Sequence, residues 1–172
     1  MEQLLHRGVV LVVALMVACG DGEGDSESQK PAGNMTSADP SCASGQRWTG
    51  GSEESAQMHP GGACIGCHKS EGEGPVFQVA GTVYASSAEK TDCLGTTGPE
   101  VVVTADDGQS VTLATNSAGN FMHEGALAFP LKVKVVQGGK SREMLSPVSD
   151  GDCNGCHDET GKQGAPGRIL AP

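Results

Sequence analysis

Aromatic side chains are nearly missing from this chain: Trp48, Tyr84, Phe77, Phe121 and Phe129 are the five among 172 residues. A chain so poor in large apolar groups cannot bury much surface, and small cores of this kind lean on staples. Basic residues are scarce as well, with 11 Lys and Arg against 21 Asp and Glu and a formal charge of −10. Such a surface repels nucleic acid and anionic lipid heads; it suits a basic partner protein, or plain solubility. The apolar run from Val9 to Ala18 has ten residues, too few to span a bilayer as a helix. No serine–histidine–carboxylate set, phosphate loop or paired-carboxylate site stands out, so hydrolytic and phosphoryl-transfer chemistry has no evident candidates.

What the chain does have is glycine, 26 residues of it, and seven cysteines. Glycine at that level favours turns and extended chain over long helices. Arg7 and the amino terminus give a thin positive region before the apolar run, so residues 1–18 read as an export signal. The run ends in Met16-Val17-Ala18-Cys19, which resembles the bacterial lipobox. That resemblance implies cleavage before Cys19, lipidation of its thiol, and a place in the cell envelope, on the periplasmic side or the surface of the outer membrane. Residues 19–41 are rich in Gly, Ser, Asp and Glu and read as a solvated tether.

Residues 42–75 hold one close pair of cysteines among many turn formers, and residues 146–172 hold a second. No helical period persists in the first of these, which reads as loops wrapped around a ligand. Between them, residues 76–145 carry short β-type runs separated by turns: Val76 to Tyr84, Val101 to Ala105, Ser110 to Thr115, Asn120 to Met122, Leu131 to Val136 and Arg142 to Leu145. The spacing indicates around seven strands in a small antiparallel sandwich, mainly β in class.

Two segments carry the chemistry, Cys64-Ile65-Gly66-Cys67-His68 and Cys153-Asn154-Gly155-Cys156-His157. Two thiols separated by two residues reach the two vinyl groups on one edge of a haem and form thioethers. The histidine that follows is then held beneath the porphyrin, where its imidazole binds iron. The pattern therefore implies two covalently bound c-type haems, with His68 and His157 as iron ligands. A zinc site from four thiols fits less well, because export and a histidine at both places go unexplained. A thioredoxin-like dithiol lacks its βαβ setting, and two plain disulfides leave the paired histidines without a role. With Cys19 assigned to lipid and four thiols to haem, Cys42 and Cys93 are left over and are expected to pair in an oxidising compartment.

The middle segment resembles the carboxypeptidase regulatory-like domain through Gly81-Thr-Val-Tyr84, Val101-Val-Val, Asp107-Gly108, Thr115, Gly119-Asn-Phe121 and Pro130-Leu-Lys-Val133. This resemblance implies a transthyretin-like sandwich serving as a scaffold, with the haem sites flanking it at its two ends. The arrangement as a whole is similar to small c-type cytochromes in which two haem motifs flank such a sandwich. There, a Met before each motif recurs, which makes Met58 and Met144 candidates for the sixth iron ligand beside His59. Reach favours Met144 for the second haem, since it precedes Cys153 by nine residues and nothing after His157 can ligate; His123 is its competitor. Arg168 is either a partner for a haem propionate or a solvated arginine.

The expected activity is outer-sphere, one-electron transfer between redox partner proteins. Two other classes stay open: a small peroxidase-like oxidoreductase with one open haem, and a β-sandwich binding or adhesion module with structural haem.

Overall fold

The computed structural model describes residues 43–45, 48, 54–89 and 93–172. Seven strands form: β1 (Val79–Tyr84), β2 (Glu100–Thr104), β3 (Ser110–Ala114), β4 (Asn120–His123), β5 (Lys132–Gln137), β6 (Lys140–Glu143) and β7 (Ile169–Leu170). Two short helices, α1 (Cys64–Glu71) and α2 (Cys153–Cys156), carry the cysteine pairs. The strands make a four-stranded sheet in the order β3-β2-β5-β6 and a three-stranded sheet in the order β4-β1-β7. The chain is thus mainly β, a small sandwich, as its alternating runs indicate.

The four-stranded sheet is antiparallel throughout and follows from local pattern. Val101 and Val103 of β2 and Val133 and Val135 of β5 are buried, while Glu100, Lys132 and Lys134 between them are exposed. That alternation turns one face inward to meet Val79, Val83 and Phe121 of the other sheet, with Leu127 and Leu131 closing the core. Gly138 and Gly139, at φ 56° and 78°, form the two-residue turn between paired Gln137 and Lys140. So tight a turn starts β6 at Lys140, two residues before the Arg142 that the sequence suggests, and leaves Met144 beyond the strand.

The three-stranded sheet gathers its parts from the whole chain. β1 pairs with β4 antiparallel, placing Gly81 opposite Phe121, and with β7 parallel through Val83 and Ile169. Where β7 does not reach, other groups take its place on the same edge. The Ala80 N–H donates to Gly151 O at 3.0 Å, the Thr82 N–H to the Asn154 side-chain Oδ1 at 3.1 Å, and beyond β7 the Ala171 N–H donates to Tyr84 O at 2.8 Å. Position 151 must be glycine, since a Cβ there would stand 1.8 Å from Gln78 O. All six residues of β1 are buried.

Two expectations change. The cysteine motifs do not flank the sandwich at opposite ends; both helices pack on β1 and touch each other. And the first motif is not a loop but a helix of eight residues.

Candidate cofactor-attachment site

Helix α1 sets Cys64 and Cys67 three residues apart, on one face, with His68 one turn after Cys64. It ends where Gly72 turns left-handed at φ 70° and gives its N–H to His68 O. Its start has no cap of its own, because Ala63 offers no side-chain acceptor. The cap comes from the other motif: Asp152 Oδ2 accepts the Gly66 N–H at 2.8 Å and also meets the Ile65 N–H. A carboxylate there satisfies orphan donors and complements the helix dipole. Helix α2 is a single turn, closed by the His157 N–H donating to Cys153 O at 2.8 Å.

The two histidines are held alike. His68 Nδ1 lies 2.9 Å from Pro75 O, and His157 Nδ1 lies 2.8 Å from Gly167 O. A carbonyl only accepts, so each Nδ1 carries a proton and Nε2 is the ring nitrogen left for a metal to take. The Phe77 ring stands 5.2 Å from the His68 ring, tilted by 38°, and limits its rotation.

Between the motifs runs a seam of short polar contacts. Asn154 Nδ2 donates to Gly62 O at 2.8 Å and to Thr82 Oγ1 at 3.1 Å. Thr82 Oγ1 accepts the Gly61 N–H at 2.8 Å and donates to Asn120 Oδ1 at 2.7 Å. Asn120 Nδ2 in turn donates to Met58 O at 2.9 Å. The stretch 56–62 is thereby fastened to β1 and β4 just before Cys64.

The leading cysteine of each pair is half-buried. Burial, reinforced by the Asp152 charge, pushes Cys64 up to about 11. Burial and the charges of Asp152 and Cys64 push Cys153 up to about 12. Both are neutral thiols at ordinary pH, slow as nucleophiles in the folded chain. Cys64, Cys153 and Cys156 are free, whereas Cys67 and Cys93 are each disulfide-bonded. Cys93 is fully buried; Cys42, its expected partner, lies outside the described residues, as does Cys19. A thioether at Cys67 requires its sulfur to be released from that disulfide. Among the described residues, no group of three or more His, Cys, Asp or Glu side chains is placed to hold a bare metal ion.

The candidates for a sixth ligand are scattered. Met58 is half-buried in the turn before α1, and His59 beside it is exposed with φ at 38°. Met144 packs against the apolar core, its N–H donating to Val133 O at 3.0 Å. Ligation by Met144 therefore needs its thioether to leave that contact. His123 has its Nε2 buried without a hydrogen-bond partner. Met122, which sequence reasoning passes over, is paired with Ala80 and so faces the same side of the sheet as Thr82, away from the core.

Arg168 is not solvated. It is 6 % exposed, donates from Nε to Glu89 O at 3.0 Å and lies 4.5 Å over the Tyr84 ring. Glu89, fully buried, accepts the Ser44 N–H. Sequence reasoning also misses Asp152, Asn154, Thr82 and Asn120 as the clasp; their one hint is amide and carboxylate side chains set beside and inside the second motif. Comparison of the chain with protein-family models, curated proteins and solved structures returns no match.

Proposed function

We propose that the chain is an exported, lipid-anchored dihaem cytochrome c that passes electrons one at a time between redox partner proteins of the cell envelope. The observation that carries this reading is the matched state of His68 and His157. Each follows a Cys-x-x-Cys turn, and each has Nδ1 committed to a backbone carbonyl, so that Nε2 is the nitrogen left for a ligand. Structural disulfides would not require either feature.

In this reading Cys64 and Cys67 hold one haem and Cys153 and Cys156 the other, with His68 and His157 as axial ligands. Bound haem supplies an iron that cycles between ferric and ferrous. The chain's own part is to fix each imidazole by its Nδ1 hydrogen bond, and to shelter the leading thiols against β1. The regulatory-like sandwich acts as scaffold, Cys19 as membrane anchor, and Cys42–Cys93 as a staple. Net charge of −10 suits a basic protein partner and disfavours nucleic acid.

Intact mass with a pyridine haemochrome assay tests the proposal. Two haems per chain are expected, falling to one when Cys64 and Cys67, or Cys153 and Cys156, are replaced by Ala. A haem-free mass sinks it. The disulfide at Cys67 favours a second reading, a disulfide-stapled binding module, and peptide mapping that finds Cys67 in a disulfide in the exported protein would uphold that one instead. For an electron carrier, both reduced haems should be low-spin; one high-spin haem would point to peroxidase-like chemistry. The sixth ligand of the second haem is assigned to Met144 on reach. Met144→Ala should lower that haem's potential and open its iron to carbon monoxide, and the same change in His123→Ala alone would move the role to the histidine.

A further inference from the structure

The two haem motifs were expected apart, and the fold brings them together. The carboxylate that precedes the second motif caps the helix of the first, with Asp152 Oδ2 2.8 Å from the Gly66 nitrogen. The amide inside the second motif grips the chain leading into the first, with Asn154 Nδ2 2.8 Å from Gly62 O. That same oxygen is 3.3 Å from Cys64 Sγ. Asn154 is also tied to β1 through the Thr82 N–H, so the clasp has a rigid base.

We infer that the two motifs form one composite dihaem site, in which Asp152 and Asn154 are positioning residues that fix the two haems against each other as an interacting pair. This rests on the haem reading above and adds to it what an electron carrier with separate haems would lack. With haem attached, Cys64 and Cys67 would hold one porphyrin and Cys153 and Cys156 the other, and the hydrogen bonds from Gly66 to Asp152 and from Asn154 to Gly62 would tie the two attachment turns together. Each haem would supply a one-electron iron centre, so an electron taken up at one ferric iron from a one-electron reductant could pass to the other, the first being reoxidised as the second is reduced. Asp152 and Asn154 touch neither iron; their part is to hold the two turns in register.

The experiment uses the haem-loaded mature chain, titrated with dithionite and followed by electron paramagnetic resonance. In the fully oxidised protein each ferric signal should be broadened by the other iron. At half reduction the remaining ferric signal should narrow, because its low-spin ferrous neighbour is diamagnetic. Asp152→Ala and Asn154→Ala should keep two haems and lose most of that broadening. Asp152→Asn, which keeps an acceptor for the Gly66 N–H, should retain it. Two haems whose wild-type signal per ferric iron is the same at full oxidation and at half reduction would overturn the inference and leave the haem reading intact. So would clasp variants that bind two haems with unchanged broadening, as to the role of these residues. A chain without haem would overturn both.

Discussion

The two sheets of this sandwich are held by opposite means. The four-stranded sheet joins two hairpins, β2–β3 and β5–β6, through β2 and β5, buries valines on one face and wets the other, and draws all its strands from residues 100–143. The three-stranded sheet has at its centre a strand buried on both faces. One face is apolar, against Phe121 and the core valines; the other is polar, against Thr82, Asn120 and Asn154. The first face resists water by area, the second by pairing Thr82, Asn120 and Asn154 with one another and with the chain at 58–62. Area is forgiving and hydrogen-bond completeness is not, since a stranded buried group costs its full desolvation.

That contrast can be tested from both sides. The largest loss is expected on the apolar side. Phe121→Ala removes the ring that lies over Gly81, 1 % exposed, and should cost about 3–5 kcal/mol in urea or thermal unfolding. A loss below about 1 kcal/mol would mean that the motif segments, and not the core, hold β1. On the polar side, Asn154→Ala strands the buried Thr82 N–H, at about 1–3 kcal/mol, while Gly62 O keeps its contact with Cys64 Sγ. If the midpoint hardly moves, water has replaced the amide and the seam is wetter than its geometry indicates.

The smallest effect sharpens the comparison by pH. Burial raises Asp152 above its ordinary value, against the pull of the Gly66 and Ile65 N–H groups. The folded chain thus holds this proton more tightly than the unfolded chain. The charged carboxylate accordingly costs stability above the raised folded value, and that cost fades as pH falls toward 3.8, the ordinary value. Asp152→Asn should show its largest relative gain near neutral pH and converge on the wild type in acid. A gain that grows in acid would show the charge to be favourable where it sits.

Legibility in the sequence follows the same division. The runs at 101–105, 110–115 and 131–136 are readable because an apolar residue at every second position dictates a strand with one wet face. Helix α1 is not, because none of its eight residues is buried and no apolar period marks it; its cap comes from Asp152, 86 positions away in sequence from Gly66. Two-residue β7 is too short to carry a period. The spacing of Cys64 to His68 and of Cys153 to His157 stands in the sequence as a local pattern. Their meeting does not, since it depends on side-chain hydrogen bonds that no local pattern encodes. Arg168 looked like a surface residue for the same reason, its surroundings being Tyr84 and Glu89.

The edge of β1 has a consequence for the order of events during synthesis. Gly151, Asn154, Ile169 and Ala171 complete that edge, and all of them emerge from the ribosome about 70 to 90 residues after their partners in β1. Long-range closures of this kind form late, once loop entropy can be offset. Until then Cys64 has neither Asp152 nor the second motif beside it; afterwards it is half-buried and its pKa is pushed up to about 11. Both motifs pack on β1, so they reach their final surroundings in the same late step.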